Sequence, residues 1–195
     1  MVAGAILPIA IHNNKLVFLF GKEASDADTP GWSDFGGGVE EGEDPYKTAL
    51  REGGEELSGY LGDGANIERL IKAGGGCYKL THKTYHIHMF LVDYDENLPK
   101  YYNQNHKFLW ERMDQKYLHE TRLFEKGEIA WLSAQDMKRR RSEFRAFYQE
   151  ITDHILEEMP KIETFIRTNG RKRVGFSRRP SQKSKKTRKM RGSMK

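Results

Sequence analysis

The sequence is poor in cysteine: its 195 residues include only one, Cys77. A single cysteine excludes an internal disulfide and a multi-cysteine zinc site, and it suits a reducing compartment. Long hydrophobic runs are also missing. The apolar N-terminal stretch MVAGAILPIAI contains Pro8, has no basic segment before it and is too short to span a bilayer. We therefore interpret it as a strand. We expect an intracellular protein of the cytoplasm or nucleus, with no signal peptide, transmembrane segment or membrane partner.

Acidic residues are missing from the C-terminal segment 171–195, which has 12 Lys or Arg and no Asp or Glu. Residues 1–170 therefore hold 21 basic and 28 acidic residues, a net charge of −7. We predict a folded domain over 1–170 and a disordered basic tail over 171–195, because a segment with so few apolar residues cannot repay its ordering entropy. The tail is a candidate for binding nucleic acid or another polyanion, and a solubilising or nuclear-targeting extension is the alternative. Its candidate binding residues are Arg171, Lys172, Arg173, Arg178, Arg179, Lys185, Lys186, Arg188 and Lys189.

Turn residues and hydrophobic periodicity divide the folded part. Two strands are predicted around the turn HNN (12–14), two more after a connecting segment within 62–94, and another at GEIAWLS (127–133). A helix is predicted near 45–58. Residues 134–168 have helical periodicity, with a kink or break at Pro160. Residues 97–124 are rich in aromatic residues and show no clear period. This order predicts an α/β domain of the α+β type, with a mixed β-sheet flanked by helices and a helix at its C-terminal end. The apolar stripe of the terminal helix comprises Phe144, Phe147, Ile151, Ile155, Met159, Ile162 and Ile166.

The stretch GGGVEEGEDPYKTALREGGEELSG (36–59) concentrates acidic residues on a predicted helix. Asp44 followed by Pro45 is a strong helix start. Glu52, Glu55 and Glu56 then share one face, and like charges at these spacings weaken a helix. The stretch is either a solvated acidic face or a set of carboxylates that share a divalent cation, since Mg²⁺ binds carboxylate oxygens, water and phosphates.

The spacing within this stretch resembles the Nudix box. Gly37 is followed after five residues by Glu43, after seven more by Arg51 and Glu52, and after two more by Glu55 and Glu56. Gly53, Ser58 and Gly59 depart from the family pattern, in which these positions are apolar, glycine and apolar. The resemblance covers 23 residues, 37–59. It implies a loop–helix–loop beside a mixed β-sheet, with a second helix on the opposite face.

The same resemblance implies roles for individual residues. Glu52, Glu55 and Glu56 would be ligands of Mg²⁺, or of Mn²⁺ as an alternative, and the carbonyl oxygen of Gly36 would add another ligand. Arg51 would hold a glutamate, Glu43, in orientation, and Gly37 and Glu43 would support the ligands structurally. The reaction implied is hydrolysis of a nucleoside diphosphate linked to another group X. Clustered Mg²⁺ neutralises the diphosphate and activates water, and a nearby carboxylate accepts the proton. Glu52 is the first candidate base, and Glu125 and Glu128, before and in GEIAWLS, are the others.

Other candidates depend on weaker patterns. Trp32 and Phe35 precede the box and would either stack on a base or pack in the core. His86 and His88 alternate on a predicted strand, where they would bind metal, contact substrate or simply be exposed.

Two classes of function fit these features. The first is a metal-dependent hydrolase acting on a small nucleotide, a capped RNA 5′ end or a diphosphoinositol phosphate. The second is a non-catalytic module that binds nucleic acid through its basic tail. The intact glutamate cluster favours the enzyme, because a binding module has no need of it. The sequence does not predict an oligomeric state.

Overall fold

The computed structural model describes residues 1–23, 29–121, 123 and 125–174. The strands are β1 (Ala3–His12), β2 (Lys15–Glu23), β3 (Trp32–Ser33), β4 (Phe35–Gly38), β5 (Cys77–His82), β6 (Tyr85–Leu91) and β7 (Lys126–Ser133). The helices are α1 (Pro45–Glu56), α2 (Gly64–Ala73), α3 (Asn97–Trp110), α4 (Gln115–Thr121), α5 (Ala134–Arg139), α6 (Tyr148–Glu157) and α7 (Met159–Val174), with a 3₁₀ turn at Arg141–Glu143.

The strands form one mixed sheet in the order β3-β2-β1-β6-β5, to which β4 adds by pairing with β1 and β7 by pairing with β2. Strands β1 and β6 run parallel, and the other pairs are antiparallel. The predicted α+β architecture, a mixed sheet flanked by helices, is confirmed. Helices α6 and α7 pack on one face, and α1, α2 and α3 cover the other.

Alternation along β6 assigns its side chains to these two layers. Ile87 and Met89 belong to the core under α6 and α7, whereas Phe90 belongs to the core under α1. All three side chains are fully buried. The two-residue period predicted for this strand therefore decides which helix layer each residue meets.

Helix α1 begins where the sequence predicts it. The Asp44 side chain accepts hydrogen bonds from the backbone N–H groups of Tyr46 and Lys47, both at 2.9 Å, and Pro45 takes the first helical position. Gly53, one of the departures from the box pattern, has a packing reason. A Cβ atom there would lie 2.3 Å from Ile6 Cδ1 of β1. The helix can therefore approach the sheet closely only with glycine at this position.

Several predicted boundaries need correction. The connecting segment after α1 contains α2, which Asp63 caps and which buries Ile67 and Ile71 one turn apart. Residues 97–121 form α3 and α4. Such short amphipathic helices are hard to distinguish from loops by periodicity alone.

The C-terminal helix is also different from the prediction. It divides into α5, a 3₁₀ turn, α6 and α7, and the break at Glu158 falls just before Pro160, as predicted. Phe147, which the periodicity places on the apolar stripe, lies at the N-cap of α6 and is 47% exposed. Helix α7 continues to Val174, past the predicted domain boundary at 170. The rest of the predicted tail, 175–195, lies outside the described residues.

Candidate active site

Arg51 connects the acidic residues of α1 with the loop before it. Its Nε and Nη2 atoms donate to the two carboxylate oxygens of Glu43, at 2.9 and 3.1 Å. Its Nη1 atom donates to Glu52 at 2.9 Å and to Glu55 at 3.3 Å. The Arg51 hydrogen bonds lower the pKa of Glu43 to about 2. One planar guanidinium therefore holds three carboxylates in fixed directions, which the point charge of a lysine cannot do.

Two glutamates of the acidic cluster lie against the glycines of β4. A Cβ atom on Gly37 would lie 2.3 Å from Glu52 Oε1, so the Glu52 carboxylate occupies space that only glycine leaves open. The backbone N–H of Gly36 donates to Glu56 Oε2 at 2.8 Å. Glu52 and Glu56 therefore both lie against the same short strand.

Lys126 is a central residue of the site that the sequence analysis missed. Its side chain is only 1% exposed, and its ammonium lies 3.0 Å from Glu56 Oε1 and 2.5 Å from Glu23 Oε1. Arg145 in turn contacts Glu23 at 2.6 Å. Burial lowers the pKa of Lys126, but the two carboxylates outweigh that effect and raise it. Burial raises the pKa of Glu56 to about 8, and Lys126 opposes this shift.

A bulge explains why the strand pattern concealed this lysine. Glu128 pairs with Lys22 and Lys126 pairs with Glu23, so Gly127 is an extra residue in β7 and the register shifts there. Without the bulge, Lys126 and Glu128 would share a face. With it, Lys126 is buried and Glu128 is exposed.

The two later candidate bases have different surroundings. The charge of Glu125 acts on Glu56 and raises its pKa, which places Glu125 within electrostatic range of the cluster. Glu128 instead acts on Arg140, away from α1. Of the two, Glu125 is the one near the acidic cluster.

Two of the four substrate-binding candidates are buried aromatic residues. Trp32 and Phe35 have no exposed surface and belong to the cores, so neither ring has a free face for a base. Lys22 and the guanidinium of Arg140 also lie over the Trp32 ring. Full burial favours the packing alternative for both residues.

His86 and His88 each contact protein groups, and no cluster of three potential ligand side chains within the described residues includes either of them. His88 is buried, its Nδ1 atom lies 3.3 Å from the Ala5 carbonyl oxygen, and its ring packs on the edge of Tyr46. Burial lowers its pKa. The His86 ring is hydrogen-bonded to the Thr81 hydroxyl. Cys77 is free and half-buried, and burial raises the pKa of its thiol.

An open cleft of about 440 Å³ adjoins the acidic cluster. It lies between the box segment and the end of α4, and its lining residues are Glu40, Arg51, Glu55, Glu120, Thr121 and Leu123. The cleft gives a ligand access to the exposed side of Glu55 and to the Arg51 guanidinium.

The site fits a divalent cation in the chemistry of its donors. Glu52, Glu55 and Glu56 supply carboxylate oxygens, and Gly36 supplies a carbonyl oxygen, which are ligands that hard cations prefer. Among the described residues, however, no three Asp, Glu, His or Cys side chains already converge on one point. Arg51 and Lys126 hold the three glutamates by different oxygens, so a cation would have to draw them together.

The sequence model of the NUDIX domain matches residues 3–154. The chain therefore belongs to the Nudix family, a class of hydrolases that act on phosphoric anhydrides. No match is found among proteins whose function has been curated. No helix in the described part of the chain is long and apolar enough to cross a membrane.

Solved structures with a similar fold share little sequence with this chain. A C. elegans Ap4A hydrolase in a binary complex is 15% identical, with a TM-score of 0.43, covering 89% of this chain and 99% of that one. A Francisella tularensis bifunctional NMN adenylyltransferase/ADP-ribose pyrophosphatase, complexed with AMP and a Mn ion, is 19% identical with a TM-score of 0.48, covering 80% and 41%. The NUDIX domain of Shewanella oneidensis NrtR with ADP-ribose is 11% identical with a TM-score of 0.43, covering 83% and 86%.

Proposed function

We propose that this protein is a divalent-cation-dependent hydrolase that cleaves the diphosphate linkage of a nucleoside diphosphate joined to another group X. The observation that carries the proposal is the Arg51 fork, which holds Glu43, Glu52 and Glu55 beside an open cleft. Three carboxylates that share one guanidinium leave an excess of negative charge beside the cleft, which suits a site that assembles around a cation.

We assign a role to each residue of the cluster. Glu52, Glu55 and Glu56, with the Gly36 carbonyl, would hold Mg²⁺, and Mn²⁺ is the alternative ion. When bound, the cation supplies charge neutralisation for the diphosphate and lowers the pKa of a water. Arg51 orients the glutamates and does not act as a proton donor, because its pKa is raised above an already high value.

Glu52 is the proposed general base. Its side chain is 13% exposed, and only one of its oxygens accepts from Arg51. The other oxygen is therefore available to take a proton from water. Glu125 is the second candidate because its charge reaches Glu56.

For the group X we propose an RNA 5′ end, with small nucleotides and diphosphoinositol phosphates as alternative substrates. The basic segment 171–195, with 12 Lys or Arg and no acid, favours a polyanion. The rest of the chain has a net charge of −7 and repels one at long range. A cationic segment would raise the local concentration of RNA, with an affinity that falls steeply as salt rises.

The test is release of phosphate or nucleotide from capped RNA, dinucleoside polyphosphates, nucleotide sugars and diphosphoinositol phosphates, with and without Mg²⁺. We expect Glu55→Gln and Glu56→Gln to lose at least about a hundredfold in kcat/KM on the active substrate. The matched control is Glu68→Gln, which removes a glutamate paired with Lys72 on the surface of α2. This variant should keep wild-type turnover.

Two results would contradict the proposal. Wild-type turnover in either box variant at saturating Mg²⁺ would refute the assignment of the ligands. Binding of capped RNA without hydrolysis of any substrate would instead favour the non-catalytic nucleic-acid-binding module.

A further inference from the structure

The helices α3 and α4 expose aromatic rings on the surface beside the acidic cleft. Within the described part of the chain, the exposed aromatic side chains are Tyr101, Phe108, Tyr117 and Phe147, and the first three belong to α3 and α4. Tyr101 and Phe108 are 53% and 55% exposed. They are seven residues apart, so they share one face of α3 at a spacing of about two turns, roughly 10 Å.

Each of these two rings is paired with a cation. The guanidinium of Arg112 lies 4.0 Å from the centre of the Phe108 ring, and the ammonium of Lys100 lies 5.6 Å from that of Tyr101. A cation on one face leaves the other face of the ring open to a second planar group. Helix α3 also has no acidic residue, in a domain whose net charge is −7. Arg112 also lies 3.5 Å from Glu111, just past the end of α3. The surface therefore combines exposed rings with cationic side chains, one of which is shared with a neighbouring glutamate.

The position of α3 connects this surface to the site. Tyr102, on the buried face, donates hydrogen bonds to the carbonyl oxygens of Glu56, at 3.2 Å, and Lys126, at 2.8 Å. Tyr60, just beyond α1, donates to the Tyr101 carbonyl at 3.4 Å. The chain then returns through α4, whose Glu120 and Thr121 line the cleft. The exposed rings of α3 therefore belong to a helix that contacts the site, and α4, which follows it, lines the cleft.

We propose that the exposed face of α3, with Tyr101, Phe108, Lys100 and Arg112, binds single-stranded RNA by stacking unpaired bases on its two rings. The inference rests on the proposed function, because it takes RNA to be the group X and places the nucleotides after its 5′ end on α3. Ring stacking tolerates any base, and nearby cations contact the phosphates. Binding by this surface is distinct from binding by the basic C-terminal segment. Stacking depends on the area of the rings more than on the release of counterions from the RNA.

The experiment uses the full chain and a fluorescent 12-nucleotide unstructured RNA, with binding measured by anisotropy in EDTA so that no hydrolysis occurs. Measurement at 0.5 M salt suppresses the electrostatic contribution of the basic segment. We expect the double variant Tyr101→Ala/Phe108→Ala to bind the single strand about tenfold more weakly or worse. Phe147→Ala is the matched control, because Phe147 is also an exposed ring with a nearby guanidinium, that of Arg145. It should keep the wild-type affinity.

A duplex of the same sequence separates stacking from charge. Its bases are paired, so the double variant and the wild type should bind it equally. Equal single-strand affinity of wild type and double variant, with melting temperatures that agree, would overturn the proposal. So would loss of a dimer, seen by light scattering, with RNA affinity unchanged, because the rings would then contact a second copy of the chain. These outcomes are independent of hydrolysis: a wild type that cleaves small nucleotides but shows no ring-dependent RNA binding keeps the proposed function and refutes this inference.

Discussion

Replacement of Lys126 by methionine tests whether the buried lysine neutralises the acidic cluster. Methionine keeps the length and most of the volume of the side chain but removes the charge. The lysine is 1% exposed, and its partners Glu23 and Glu56 are 11% and 8% exposed, so solvent hardly screens these contacts. Removal of one partner from a buried ion pair costs about 3–5 kcal/mol, because the other charge is left uncompensated.

The geometry and the pKa of Glu56 place the expected loss below that range. Arg145 contacts Glu23 at 2.6 Å, so Glu56 is the carboxylate that the substitution leaves without a cation. Burial raises the pKa of Glu56 to about 8, so this carboxyl takes up a proton at pH 7.5 when Lys126 is removed, which lowers the cost. We therefore expect the free energy of unfolding to fall by about 2 kcal/mol, which corresponds to a melting temperature lower by roughly 4–8 °C for a domain of this size. Denaturant unfolding in EDTA at pH 7.5 measures this loss.

Two further variants serve as controls for this measurement. Lys83→Met removes a lysine that contacts Glu150 at 2.7 Å but is 73% exposed, so it should change stability by less than about 1 kcal/mol. The double variant Lys126→Met/Glu56→Gln removes both charges and should recover about half of the loss or more. If Lys126→Met remains within about 1 kcal/mol of wild type, or the double variant is the least stable of the series, the argument that Lys126 neutralises Glu56 fails.

Three other predictions concern the box and the core. Arg51→Ala should reduce kcat/KM at least about a hundredfold, and Arg51→Lys should restore little of it, because a lysine cannot hold Glu43 and a second carboxylate together; full rescue by lysine in steady-state kinetics would refute an orienting role. Gly37→Ala should displace the Glu52 carboxylate and lower kcat about tenfold or more with little change in melting temperature, and unchanged kcat would count against Glu52 as base. Burial lowers the pKa of His88, so the unfolded chain takes up this proton at higher pH than the folded chain, and the free energy of unfolding falls as pH drops below about 6.5. His88→Gln should flatten this decline between pH 7.5 and 5.5, and an identical slope in both proteins would show that another group is responsible.

The local order of the chain was sufficient to predict the elements that depend on neighbouring residues. Asp44 and Pro45 begin α1, and Glu52, Glu55 and Glu56 share a face because helical geometry repeats every 3.6 residues. The alternation along β6 predicted which of its residues share a face, and the two faces meet different helix layers. In each case the responsible contacts are separated by a few positions in sequence, so the pattern contains the information directly.

Contacts between distant segments were decided only by the tertiary structure. Lys126 reaches Glu23 across 103 positions, and a bulge at Gly127 turns it inward against the strand period. Trp32 and Phe35 could not be assigned to the core or to substrate, because their burial depends on strands and helices that pack from elsewhere in the chain. Spacing in the sequence thus determined which acids stand together on α1. The tertiary contacts that bring Lys126 of β7 and Glu23 of β2 to Glu56 determined which cation neutralises it. The physical reason is that the burial and the pKa of a charged group depend on every segment around it, and a local pattern records only one of them.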